Sequence, residues 1–278
     1  QVYIHDQDAG WLESHYLGIQ KYFDFFDRRY GTRNGLYLHA FGADNALYKF
    51  WRPGTLASVQ ACAYIHMEFM AMVEISKALG KTEEAETFLE KAETLKKKVS
   101  DHFWFEKEGT YFNATVADRE PFRELEWLVL TPLYAGIAEK EQAAELVERY
   151  LLNTDYFWSE FGIRTLSRSS DYYNNARLGN PPPDGNYEQL TGSNWQGPVW
   201  VLSNYQVFRG LINYGYFKEA EALAENTMKL LAATIRTEDT MYENYHAETG
   251  EGLWAKGFGS WNLIADKMYE ELKCAGPE

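Results

Sequence analysis

LASVQACAYIHMEFMAMVEISKALGKTEEAETFLEKAETLKKKVSDHFW, residues 56–104, holds two helices of opposite character around one short turn. Residues 56–79 are apolar nearly all round, with Val59, Cys62, Ala63, Met67, Met70 and Val73 on one face, and the run stops at Gly80. Thr82 reads as the N-cap of the second helix, whose interspersed Glu and Lys mark a solvated outer face. A helix that is apolar on all sides belongs in the interior, and an amphipathic one covers it. The same order returns at residues 198–213 and 216–235, joined by YGYF. Inner helix then outer helix, repeated, is what an α/α barrel or an α-solenoid requires. ALGKTEEAETFLEKAETL has a tetratricopeptide flavour, but no period near about 34 residues runs along the chain, so that array ranks below the barrel.

Further helices are expected over 10–30, 124–138, 140–151 and 259–273. Long polar segments rich in aromatic residues separate them at 31–54, 106–122, 153–195 and 236–258, and loops of that length in a compact protein usually carry function. Within 167–190, PPPDG is a rigid turn that neither a helix nor a central strand can hold. With no linker or break in composition, a single domain over 1–278 is expected.

The net charge of −14 argues against a nucleic-acid backbone or an anionic membrane as partner. Two cysteines cannot build a disulfide framework or a cysteine metal site, and Cys62 reads as a buried helical residue. No apolar run reaches the length of a membrane span and no signal-peptide pattern opens the chain, which weakly favours the cytoplasm. The six histidines are scattered without metal-ligand spacing, and no nucleophile elbow or phosphate loop is present, so no metal or cofactor is expected. The 16% aromatic content suits either stacking on sugars and bases or a ring-rich core.

Carboxylates are the remaining chemical tools. Two of them sit in loops among rings: Asp44 in HAFGADNALYKFWRPG and Glu243 in MYENYHAETGEGLWAKGFGSW. A carboxyl group walled by aromatic residues is desolvated, which lifts its pKa toward that of a working general acid or base. Two such groups suggest glycoside hydrolysis, one as acid for the leaving oxygen and one as base for water.

Three ordered stretches carry a family resemblance. FGADNALYKFWRPGTLAS resembles a G-x-D-N-x-P…RP-x-x-S-x-A-S segment, YENYHAETG an E-x-Y-x-P-x-T-G segment, and NWQGPVWVLSNY an N-W-x-G-P-x-W-x-x-x-N-Y segment. These motifs make the chain similar to the catalytic (α/α)6 barrel of glycoside hydrolase family 63, in its mannosylglycerate/glucosylglycerate hydrolase-like branch. The resemblance implies an all-α (α/α)6 toroid acting on a small α-glycoside or oligosaccharide by inversion. Asp44 would be the general acid and Glu243 the general base, their carboxyl groups roughly 6.5–9.5 Å apart. Trp51, Arg52, Asn194, Trp195, Gln196, Gly197, Tyr245 and Trp261 would line the sugar site. The Gly197-Pro198 pair would open an inner helix at its first turn.

Two departures stand in these motifs: Ala46-Leu47 replaces the family's Ser or Asn followed by Pro, and Ala247 replaces a Pro. About eight helices are legible where a closed barrel needs twelve. The expectation is therefore that the family's first helices are absent from this chain, with the barrel completed by an N-terminal segment or a second chain. The competing readings are a catalytically silent carbohydrate-binding or scaffold protein built on such a barrel, a trehalase-like hydrolase, and a polysaccharide lyase of related architecture.

Overall fold

The computed structural model describes residues 8–38, 55–177 and 193–275. Asp44, Trp51 and Arg52 lie outside the described residues. The chain groups into two compact units.

The first unit draws on residues 8–38, 55–104 and 113–121. Helix α1, Ala9–Tyr30, starts at Asp8, whose side chain accepts from Trp11 N at 3.1 Å. It buries Leu12, Tyr16, Phe23 and Phe26, a stripe at helical spacing. Helix α2, Val59–Ala78, is capped by Ser58, which accepts from Ala61 N at 3.1 Å, while Asn113 Oδ1 accepts from Val59 N at 2.8 Å. These bonds satisfy amide donors that the first turn of a helix leaves open. Helix α3, Thr82–Phe103, presents Ala85, Phe88, Ala92, Leu95, Val99 and Phe103 to α2. The inner and outer roles match the sequence pattern. The cap does not: Lys81 holds the N-cap position without a side-chain bond, and Thr82 is already helical. Phe23, Phe69 and Phe88 pack ring against ring across the three helices at 5.2–6.1 Å. Cys62 is fully buried, as expected.

The second unit draws on 105–112, 122–177 and 193–275. The helix expected over 124–138 is mostly something else. Glu126 pairs with Leu166 in extended conformation, Trp127–Leu130 is a 3-10 turn, and helix α4 is only Thr131–Tyr134. The apolar run WLVLTPLY is as buried as a core helix, and pairing partners distant in sequence decide its backbone form. Helix α5, Lys140–Glu145, begins with a reciprocal Glu139–Gln142 capping box and passes into a π-helical segment over Leu146–Leu151.

Helix α6, Val201–Asn213, and helix α7, Phe217–Glu238, form the second hairpin around Tyr214–Tyr216. Asn204, fully buried on α6, donates to Thr227 Oγ1 at 2.9 Å on α7 and accepts from Ile163 N at 2.8 Å. Gly210 lets α6 approach α4 closely, since a Cβ there would stand 2.9 Å from Leu133 Cβ. Helix α8, Ile264–Ala275, follows a 3-10 turn at Trp261–Leu263.

The helix expected from Pro198 starts three residues later. Pro198–Trp200 are extended because Val199 pairs with Tyr245, its N donating to Tyr245 O at 2.8 Å and its O accepting from Tyr245 N at 3.0 Å. Arg164 also pairs with Val199, and Gly252 with Tyr245. Single antiparallel bridges therefore tie 164, 199, 245 and 252 side by side.

Candidate active site

The ladder brings two of the three sequence motifs together. Residues 193–200 run beside 243–252, so Asn194, Trp195, Gln196, Gly197, Glu243 and Tyr245 share one region of the second unit, and Trp261 joins them through a hydrogen bond.

Four indoles form its floor. Trp195 stacks on Trp200 with centroids 3.7 Å apart and planes 16° from parallel. Trp127 continues the array at 6.0 Å from Trp195, and Trp261 at 5.4 Å from Trp200. Phe122 and Tyr172 pack against the same cluster. Trp200 Nε1 donates to Asn194 O at 2.9 Å, so even the indole sealed in the core has its donor satisfied.

Asn194 is a structural hub. Its Nδ2 donates to Asn174 Oδ1 at 2.8 Å and to Ala176 O at 2.9 Å, and its Oδ1 accepts from Gln196 N at 2.8 Å. Asn174 N in turn donates to Gln196 O at 2.7 Å. Asn174 is a structural partner of the 193–200 segment that motif reading missed; its only signal was membership of the irregular, Asn-rich loop. Gly197 has φ +147, and a Cβ there would collide with Asn174 O and the Tyr173 ring. Only glycine lets the 193–200 segment lie against that loop. Gln196 is buried, and its Oε1 has no partner among the described residues. Tyr245 is buried too, and its OH accepts from Tyr242 N at 2.9 Å.

Glu243 is held at three points. Its amide donates to Trp254 O at 3.3 Å, its carbonyl accepts from Trp261 Nε1 at 3.2 Å, and its Oε2 accepts from Ser193 Oγ at 2.8 Å. Burial pushes the Glu243 carboxyl above the usual glutamate value, and the Ser193 hydroxyl draws it partly back.

Beyond it, Arg164 is almost wholly buried. It donates to Glu248 Oε1 through Nε at 3.0 Å and Nη2 at 2.9 Å, and to the carbonyls of Thr154 and Trp158. Tyr173 OH donates to the same Glu248 oxygen at 2.7 Å. This network pins the 245–252 turn behind Glu243. Among the described residues no group of three His, Cys, Asp or Glu side chains could hold a metal ion, and no helix is long and apolar enough to cross a membrane.

Comparison with known proteins finds glycoside hydrolases of more than one kind. The model of the mannosylglycerate hydrolase MGH1-like glycoside hydrolase domain matches residues 36–261. A mannosylglycerate hydrolase of Rubrobacter radiotolerans is 27% identical over 201 residues, which cover 72% of this chain and 40% of that protein. A probable mannosyl-oligosaccharide glucosidase of Schizosaccharomyces pombe is 24% identical over 213 residues, 71% of this chain and 24% of the relative. The crystal structure of the family 63 mannosylglycerate hydrolase from Thermus thermophilus with glucose superposes with a TM-score of 0.62 at 19% identity, over 80% of this chain and 50% of that one. The chain thus spans at most half the length of these relatives. The fold is the one these hydrolases share, the (α/α)6 toroid that the motifs implied.

Proposed function

Because the chain belongs to the mannosylglycerate hydrolase MGH1-like glycoside hydrolase family, we propose that it supplies the catalytic base and sugar floor of an inverting glycosidase acting on an α-glucosidic or α-mannosidic bond in a small glycoside. The observation that carries this reading is Glu243: a half-buried carboxyl of raised pKa, clamped at the edge of the tryptophan array. Such a group takes the proton of a water as that water attacks the anomeric carbon. Asp44, assigned by its motif, gives its proton to the glycosidic oxygen as the bond to the aglycone breaks. Water's oxygen ends on the sugar, and Asp44 and Glu243 exchange protonation states.

Trp261, only partly buried, is the wall against which a sugar ring stacks, and Trp195, buried between Trp127 and Trp200, backs that wall. Asn194, Gln196, Gly197 and Tyr245 act from behind that surface, fixing the segments that carry Trp195 and Glu243, since their polar atoms are internal. Trp51 and Arg52 follow Asp44 in the acid motif and complete the assignment on the sugar side. The relatives' names direct the choice of substrates: mannosylglycerate and glucosylglycerate first, then α-linked glucose oligosaccharides and trehalose.

The test is turnover of that panel by the wild type, Asp44→Asn and Glu243→Gln, with the product anomer followed by proton NMR. The expected result is one inverted product, and a loss of about a thousandfold or more in each variant. Full turnover by either variant, or a retained anomer, overturns the assignment. Binding of a panel sugar without product would favour the silent carbohydrate-binding reading.

A further inference from the structure

The Ser193–Glu243 contact carries a role that neither the motif nor the comparisons assign. Ser193 lies two residues before Trp195, on the strand that the ladder sets beside the Glu243 segment. Its Oγ meets Oε2 of Glu243 at 2.8 Å. The second carboxyl oxygen, Oε1, has no hydrogen-bond partner among the described residues, and it is not one of the orphaned polar atoms sealed away from solvent. Among the described residues, one oxygen is therefore held and the other has no donor on it. A base gains from that asymmetry: an unconstrained carboxylate rotates about its last torsion, whereas one held at a single oxygen presents the other in a defined direction.

No other side chain among the described residues duplicates this contact. Glu248 is occupied by Arg164 and Tyr173, Arg177 Nε donates to Leu253 O, Glu238 accepts from Tyr242 OH, and His246 Nδ1 accepts from Glu248 N. Trp261, packed against the same segment, reaches only the Glu243 main chain. Burial and the Ser193 hydroxyl are the two influences on the carboxyl from the described residues.

We propose that Ser193 is the positioning residue of the general base: its hydroxyl holds Glu243 by Oε2 and leaves Oε1 to take the proton of the attacking water. This rests on the reading of Glu243 as the base. With Ser193 gone, the carboxylate loses a donor that favours its charged form and gains rotational freedom. Its titration then moves to higher pH, and the chemical step slows while sugar binding does not.

The experiment compares wild type, Ser193→Ala, Ser193→Thr and Glu243→Gln. With protein carrying 13C-labelled glutamate, the Glu243 carboxyl resonance is assigned as the one missing in E243Q and then titrated. Kinetics over pH are measured beside it. In S193A the titration midpoint and the acidic limb of kcat/KM should both move to higher pH, with kcat down about tenfold and KM unchanged. Ser193→Thr, which restores the hydroxyl, should recover both. An unmoved midpoint in S193A with an inactive E243Q overturns the role of Ser193 alone. Full activity of E243Q overturns the assignment of the base, and the positioning role falls with it.

Discussion

The indole rings of Trp195 and Trp200 lie 3.7 Å apart and within 16° of parallel, while Trp200 Nε1 donates to the carbonyl of Asn194. The floor of the site and the first turn of α6 are thereby one packed object. Trp200→Phe keeps a ring in the core but removes the donor and leaves a void beside Trp195. Urea unfolding should show a loss of about 2–3 kcal/mol with an unchanged m-value.

Gly197→Ala should be costlier than its size suggests. The positive φ and the collision with Asn174 O act together, and neither neighbour is the free end of a flexible side chain. A loss of about 2–4 kcal/mol in the same assay is expected, with sugar affinity falling because Trp195 shifts with the strand.

Glu243→Gln should stabilise the protein near neutral pH, whatever it does to turnover. Burial raises the folded-state pKa of Glu243, so the native state binds its proton more tightly than the unfolded chain does. The ionised group therefore destabilises the fold above that raised value, and the cost fades as pH falls toward the ordinary glutamate range. Thermal unfolding across pH should show E243Q ahead of wild type at pH 7, with the gap closing in acid. An equal or lower Tm at pH 7 would contradict the burial of this carboxyl.

Arg164→Met should destabilise by about 2–3 kcal/mol, because it strands two main-chain carbonyls that the buried guanidinium satisfies, while Glu248, exposed and still bonded by Tyr173, adds little. Burial lifts the Glu248 carboxyl, but Tyr173 and Arg164 outweigh it and hold the pKa below the usual value. That contribution is present above the ordinary glutamate pKa and is lost as pH falls through the depressed one. The variant should accordingly show a shallower decline of stability on the acid side.

Cys62 tests the core of the first unit. Burial pushes its thiol up to about 12, and no solvent reaches it. Alkylation with iodoacetamide at pH 8, read by peptide mass, should leave the Cys62 peptide unmodified until urea passes the unfolding midpoint. Modification of the native protein within minutes would show that α2 opens.

The two helical hairpins were legible because their faces are decided locally, by which residues recur every three or four positions. Val59–Ala78 and Thr82–Phe103 lie where that recurrence puts them. Residues 124–130 and Pro198–Trp200 were misread as helix for the opposite reason. Their backbone is decided by Leu166 and Tyr245, dozens of residues away, and apolar runs of that length look alike in either form. Glu243 and the tryptophans stand out in the sequence because a carboxyl among rings is chemically conspicuous. Ser193 and Asn174 do not, since a serine and an asparagine in a polar loop look the same whether they bond a neighbouring segment or face water.

Val199 grips Tyr245 through peptide groups alone, N–H to carbonyl in both directions. The register between the tryptophan strand and the Glu243 strand is thus written in the main chain, to which all residue types except proline contribute alike. Side chains that only face the rim can be exchanged without shifting this register, whereas Ser193, which bonds the Glu243 carboxyl, and Asn194, which ties the strand to its neighbouring loop, cannot. A designer could vary that rim residue by residue and keep the two strands aligned, provided Ser193, Asn194 and Gly197 are kept and neither 199 nor 245 becomes proline.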